Sequence, residues 1–152
     1  MQVVIPMTGY GSRFVAAGYR DLKPFIRVQG KPILRWIIEG MYPGEKNILF
    51  ICRKEHLDSI AGMRELLREI APSAQVFAVD DWVKKGPVFD VLRASELIDD
   101  ADEAVINYCD FYMTWDYEQF KADVKERGCD GCIPCYSWFH PHLLPEKNLY
   151  AS

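Results

Sequence analysis

Short, unbroken apolar runs recur along the chain at residues 3–5, 48–52, 76–79 and 104–106, the last extending through Asn107 to Tyr108. Such runs are too short for helices and read as strands buried on both faces. A fifth strand is predicted over 130–136. Between the runs the apolar spacing switches to a helical period. Ile33, Trp36, Ile37 and Met41 share one face of a predicted helix that opens at Gly30-Lys31-Pro32 and stops at Pro43-Gly44. Residues 57–71 predict a helix with Ile60, Met63, Leu67 and Ile70 inward and Arg64, Glu65, Arg68 and Glu69 in water. After Gly86-Pro87 a third helix directs Val88, Val91, Leu92, Ser95 and Ile98 to the core. A fourth, over 116–127, packs Tyr117, Phe120 and Val124, with Asp116 near its cap and Gly128 closing it. Strand–helix alternation of this kind predicts an α/β fold in three layers, a mostly parallel sheet with helices on both faces. Residues 137–152 lack periodicity and read as loop.

The 152 residues suit one domain able to bury roughly 70% of its unfolded surface. No apolar run approaches the roughly 18 residues of a membrane span. A strand beginning at Val3 leaves no room for a signal peptide, so a cytoplasmic location without a membrane partner is expected. The net charge of −4 conceals an asymmetry: residues 1–35 hold six basic groups against Asp21, a local +5, and the remainder carries −9. A small positive field on an acidic body favours a compact anionic ligand over a nucleic-acid backbone. The five cysteines are expected to be reduced thiols. Cys129-x-x-Cys132-x-x-Cys135 begins like an iron–sulfur ligand run, but Phe139 stands at its fourth position. Strand alternation would also turn Cys132 away from its neighbours. Small buried apolar residues are the better reading of all three.

The chemistry is concentrated after the first strand, in Thr8-Gly9-Tyr10-Gly11-Ser12-Arg13-Phe14, followed by Leu22-Lys23-Pro24. Glycines let a phosphate approach main-chain N–H groups with no Cβ in the way. Arg13 offers a planar fork to phosphate oxygens, and Lys23, beside a φ-restricting proline, supplies a second cation. The dinucleotide pattern G-x-G-x-x-G fails at Phe14, and the Walker pattern is absent. A triphosphate cradle remains. Ligands of parallel sheets gather beyond the carboxyl ends of the strands, where Asp110 closes the fourth. A carboxylate facing a triphosphate calls for Mg²⁺ between them.

The run from Val3 to Leu34 resembles the signature of the sugar-phosphate nucleotidyltransferases, which share the glycosyltransferase-A type fold. That signature is a Gly-rich loop ending in Gly-x-Gly-[Thr/Ser]-Arg, then Pro-Lys-Pro, then Gly-[Lys/Arg]-Pro. Here these read Gly9-Tyr10-Gly11-Ser12-Arg13, Leu22-Lys23-Pro24 and Gly30-Lys31-Pro32. Thr8 stands where a glycine is usual, and Leu22 replaces the first proline. The resemblance implies that Thr8, Gly9, Tyr10, Gly11 and Ser12 hold the nucleotide and that Arg13 and Lys23 are catalytic. It implies nucleobase and ribose contacts at Gly86 and Pro87, and a nucleotide-binding, metal-binding strand end in Asn107-Tyr108-Cys109-Asp110, with Asp110 the Mg²⁺ ligand. It places His140 and Tyr150 beside the acceptor. Lys84 and Lys85 could also approach the nucleotide. The family usually continues beyond this length and supplies a second metal carboxylate, so residues 1–152 are expected to form one domain lacking the C-terminal part of the family fold.

The implied reaction is attack by a sugar 1-phosphate, or a similar phosphorylated metabolite, on the α-phosphorus of a nucleoside triphosphate, releasing pyrophosphate. The likeness of 107–116 and 130–151 to a capsule or lipopolysaccharide branch implies a role in surface-polysaccharide precursors. Two alternatives stay open: a metal-dependent glycosyltransferase of the same fold, although Asp110-Phe111-Tyr112 lacks the usual acidic pair, and a non-catalytic nucleotide-binding module. The base, the acceptor and the oligomeric state are not legible.

Overall fold

The computed structural model describes residues 1–80, 83 and 85–135. In chain order, β1 (Gln2–Met7) leads into a short helix α1 (Ser12–Ala16), a 3-10 turn (Lys23–Phe25) and a small antiparallel hairpin of β2 (Arg27–Val28) and β3 (Lys31–Pro32). Next come α2 (Ile33–Met41), β4 (Ile48–Arg53), α3 (Lys54–Ser59), α4 (Met63–Ile70) and β5 (Gln75–Val79). The remainder is α5 (Pro87–Arg93), a second 3-10 turn (Ser95–Leu97), β6 (Ala104–Ile106) and α6 (Tyr117–Arg127). Strands β5, β4, β1 and β6 lie side by side in that order, every neighbouring pair parallel.

Both faces of the central strands β1 and β4 are covered, as their continuous apolar runs require, whereas the edge strands β5 and β6 are partly open to solvent, with Val76 37% and Ile106 58% exposed, against the expectation of burial on both faces. Val3, Ile5 and Met7 of β1 join Ile48, Phe50 and Cys52 of β4 on one face, against Leu34 and Ile37 of α2, Leu67 of α4 and Tyr117 of α6. The alternate residues Val4, Leu49 and Ile51 face the other way, toward Val79, Val91 and Ala94. Each such side chain, fully buried, contributes roughly 1.5–3 kcal/mol relative to exposure. Helix α6 follows its prediction at both ends: Asp116 accepts a hydrogen bond from the Gln119 N–H at 2.9 Å, and Gly128 closes the helix in the left-handed region.

Four further expectations are corrected. The single helix over 57–71 is two, because Gly62 adopts φ 76° and breaks the run between α3 and α4. Gly30-Lys31-Pro32 leads into a helix as expected, with Pro32 the N-cap of α2, but it also forms the turn and second arm of the hairpin, and α2 buries Leu34 and Ile38 where Ile33 and Trp36 were expected. Trp36 is drawn outward, its indole N–H donating to the Val28 carbonyl at 3.0 Å. On α5, Val88 and Leu92 are 70% and 64% exposed and Ser95 is exposed, while Asp90, Val91 and Ala94 face the sheet. The helical spacing favours the Val88, Val91 and Leu92 face, but a contact of Asp90 with Thr8 at β1's end rotates the helix away from it.

The fifth strand is the last correction. Residues 130–135 are irregular and exposed, so Cys129, Cys132 and Cys135 are surface thiols rather than buried apolar residues. Pro134 has no N–H to give a ladder, and Ile133 is 86% exposed.

Candidate active site

From β1 the chain moves to β4 and β5 on one side, then returns to β6 on the other. Connections on either side of β1 therefore diverge, and a crevice opens beyond the carboxyl ends of β1 and β6. Strand β1 delivers residues 8–14 to this crevice, and the end of β6 delivers Tyr108 and Cys109, with Asp110 next to them paired to Lys23. A cavity of about 370 Å³ occupies it, lined by residues 6–14, Lys23, Gly86, Pro87, Asp90 and Cys109.

Local conformation shapes the cradle. Gly11 caps α1 at φ 63°, ψ 29°, and its carbonyl accepts from the N–H groups of Phe14 and Val15 at 2.8 and 3.1 Å. The N–H groups of Ser12 and Arg13, in the first turn of α1, have no intrahelical acceptor and suit an anion. Both side chains are exposed at the mouth. Gly86 sits at φ 98°, ψ 166°, a region essentially restricted to glycine, so the entry into α5 is strained for any other residue.

Lys23 comes from the 3-10 turn, whose Pro24 and Phe25 are buried and anchor its direction. Its ammonium forms an ion pair with Asp110 and lies 5.2 Å from the Phe14 ring centroid. The two side chains are 24% and 34% exposed, enough for solvent to screen the pair and for an incoming anion to reach the ammonium. Thr8, Gly9, Tyr10, Gly11, Ser12, Arg13, Lys23, Gly86 and Pro87 thus share one cavity, with Asp110 at its rim through Lys23.

Asn107 is placed elsewhere. Its side-chain amide donates to the Phe111 carbonyl at 3.4 Å and lies 3.9 Å from the Met41 sulfur. It lines a separate cavity of about 820 Å³ along β6, which contains neither Lys23 nor the glycine loop. His140, Tyr150 and Lys84 lie outside the described residues.

Three residues that the sequence reading passed over support the loop from beneath. Arg53, at the end of β4 and 2% exposed, donates through Nε to the Thr8 carbonyl, and its guanidinium carbon lies 3.3 Å from the Tyr10 ring centroid. His56 meets Tyr10 edge to face at 5.9 Å between centroids. Burial, reinforced by the Arg53 charge, pushes the His56 pKa below the ordinary histidine value. Asp90 accepts the Thr8 hydroxyl hydrogen bond. Cys109 lies beside Asp110, and burial followed by that carboxylate's charge pushes its thiol up to about 12, so it is neutral near pH 7.

Among the described residues, no group of three or more His, Cys, Asp or Glu side chains could hold a metal by itself. Mg²⁺ needs less: one or two carboxylates with phosphate oxygens and water complete its shell. Asp110, ion-paired with the cavity-lining Lys23 and partly exposed, offers one such carboxylate and fits that donor set. No helix among the described residues is long and apolar enough to cross a membrane.

No family model matches the chain, and no curated protein does. Solved structures do match. The nucleoside-diphosphate-sugar pyrophosphorylase of Vibrio cholerae RC9 aligns with TM-score 0.56 and 20% identity, over 78% of this chain and 53% of that one. HddC of Yersinia pseudotuberculosis, complexed with GMP-PN, aligns with TM-score 0.62 and 21% identity, over 81% and 53%. A UDP-glucose pyrophosphorylase complexed with UDP-glucose aligns with TM-score 0.59 and 16% identity, over 84% and 54%. The chain shares their α/β fold and spans about half of their length.

Proposed function

We propose that this chain carries the nucleotide-binding and phosphate-handling part of a nucleotidyltransferase. The reaction transfers a nucleoside monophosphate from a nucleoside triphosphate to a sugar 1-phosphate or similar phosphorylated metabolite, with release of pyrophosphate. The observation that carries this reading is the meeting of Lys23 and Asp110 at the switch-point crevice, at the rim of the cavity lined by the glycine loop. The likeness in fold to two sugar-nucleotide pyrophosphorylases, one of them complexed with UDP-glucose, and to HddC complexed with GMP-PN supports the reaction class. A role in surface-polysaccharide precursors, in the cytoplasm, belongs to the same proposal.

The residues act by position and charge, since phosphoryl transfer asks little covalent chemistry of a protein. Main-chain N–H groups of the 9–13 loop, with Arg13, hold the β- and γ-phosphates. Lys23 leaves Asp110 for the α-phosphoryl oxygens and offsets the charge that grows there. Asp110 would hold Mg²⁺, which supplies charge neutralisation at the phosphates when bound. The acceptor phosphate is itself the nucleophile, so no general base is required.

The test is pyrophosphate release on incubation with each NTP, Mg²⁺ and a panel of sugar 1-phosphates. Lys23→Ala should lower kcat/KM by about a hundred- to a thousandfold, roughly 3–4 kcal/mol, as for other preorganised charge contacts. Nucleotide binding without pyrophosphate release would leave a binding module. Full turnover by Lys23→Ala would remove the lysine from the chemistry.

A further inference from the structure

Helix α5 turns two apolar side chains, Val88 and Leu92, to solvent and keeps a carboxylate, Asp90, only 3% exposed beside Val91 and Ala94. The usual patterning of a helix on a sheet is the reverse. The burial is also incompletely compensated. One Asp90 oxygen accepts the Thr8 hydroxyl, but the other, Oδ1, is buried and has no hydrogen-bond partner among the described residues. A carboxylate buried against one neutral donor lowers stability relative to an apolar side chain of the same shape. Nor does the helix dipole call for this placement, since a carboxylate on the solvent side of the first turn would serve it equally well.

The one contact that Asp90 makes ties two segments of the cavity lining together. Thr8 is the first residue after β1, 6% exposed, and leads directly into Gly9-Tyr10-Gly11. Arg53 holds the Thr8 main chain through its carbonyl, and Asp90, 82 positions away, holds the Thr8 side chain. Gly86 and Pro87, one helical turn before Asp90, line the same cavity as the glycine loop. At Gly9 no atom lies within 4 Å of where a Cβ would stand, so the loop takes its direction there from Thr8 rather than from packing. As an acceptor only, Asp90 offers a phosphate nothing directly and acts through the Thr8 hydroxyl.

We propose that Asp90 is a positioning residue: through Thr8 it sets the glycine loop against the entry of α5, so that the loop is preformed for a polyphosphate, and the fold keeps this alignment at a cost in stability. The polyphosphate is the one assigned to the cradle by the nucleotidyltransferase reading, on which the inference rests. Its signature is that stability and anion affinity move in opposite directions when the pair is replaced by apolar side chains. A purely structural clamp would lower both.

The test compares the wild-type chain with Thr8→Val, Asp90→Leu and the double variant, in which valine and leucine keep the branching of the side chains they replace. Thr8→Ser, which keeps the hydroxyl, is the conservative control. Thermal unfolding of the double variant should give a Tm about 2–4 °C above wild type, because a half-paired buried carboxylate is gone. Its affinity for inorganic triphosphate with Mg²⁺, read by titration calorimetry, should fall about tenfold, the cost of ordering one loop residue on binding. Each single variant should lose as much affinity as the double, since either removes the same contact. Thr8→Ser should stay within about threefold of wild type. Unchanged affinity in the double variant overturns the proposal, as does a double variant that melts below wild type. Losses that add across the two sites, or a Thr8→Ser as weak as Thr8→Val, overturn it too. A wild-type chain that binds inorganic triphosphate yet releases no pyrophosphate from any NTP removes the nucleotidyltransferase reading itself, an outcome distinct from these because they are read on the inorganic anion alone.

Discussion

Replacing Arg53 by methionine isolates the support beneath the glycine loop. Methionine follows the same straight path and fills much of the same volume, but it cannot donate. The Thr8 carbonyl then loses its Nε–H donor in a buried setting, which costs about 1–3 kcal/mol. The stacking of the guanidinium on Tyr10, at 3.3 Å from the ring centroid, adds about 0.5–2 kcal/mol. Against this, the substitution removes a charge held almost wholly out of water, and relief of its desolvation returns part of the loss. Glu55, 3.8 Å away and mostly exposed, is too weak a counter-charge to alter the balance. The net expectation is a loss of about 2 kcal/mol, since the lost contacts are directional and preformed whereas the desolvation penalty is already moderated by them. For a chain of 152 residues this lowers Tm by about 4–8 °C. Urea denaturation followed by tryptophan fluorescence gives the stability difference directly, with the slope checking that the transition stays cooperative. Arg53→Lys keeps the charge without the planar fork and should recover less than half of the loss. A midpoint that is unchanged or higher in Arg53→Met would show that desolvation outweighs both contacts, and the supporting role assigned to Arg53 would be wrong.

Two further outcomes follow from the same region and from the surface. His56 has its pKa depressed by burial and by Arg53, so the unfolded chain takes up a proton at higher pH than the folded one. Its contribution to stability is complete above the unfolded value, near 6.5, and is lost as pH falls through that value toward the folded one; the urea midpoint should therefore drop more steeply between pH 7 and 5 in the wild type than in His56→Gln, and parallel curves would contradict this. Cys129, Cys132 and Cys135 are exposed, Cys52 is buried, and Cys109 is half-buried at the cavity wall with its thiol pushed up to about 12, so a thiol reagent at pH 8 should label the first three rapidly, Cys109 slowly and Cys52 only on denaturation. Rapid native labelling of Cys109 would mean that the strand end beside Lys23 is more open than described.

The strands and the glycine loop were legible because their signals are local. A continuous apolar run encodes a strand wherever it lies, although only the central β1 and β4 are buried on both faces, and Gly11 reveals a left-handed turn within a few residues of chain. Lys23 and Asp110 were recognisable as candidate groups for the same reason, but their contact is a consequence of β6 returning to the side of β1, a pairing that no local pattern records. The rotation of α5 was misread for a related cause: Val88, Val91 and Leu92 share one face by spacing, but the Thr8 hydroxyl holds Asp90 inward and turns Val88 and Leu92 to solvent.

Sequence by itself determined the class of fold, the order of its four sheet strands along the chain and the position of the glycine loop, because each follows from spacing between near neighbours. Only the tertiary structure decided that Arg53 and Asp90, 45 and 82 positions from Thr8, converge on that one residue. A charged side chain at a strand end or in a helix has the same sequence signature whether it meets water or a buried carbonyl. The difference arises when strand order brings a distant partner within hydrogen-bond reach and excludes the solvent that would otherwise have served.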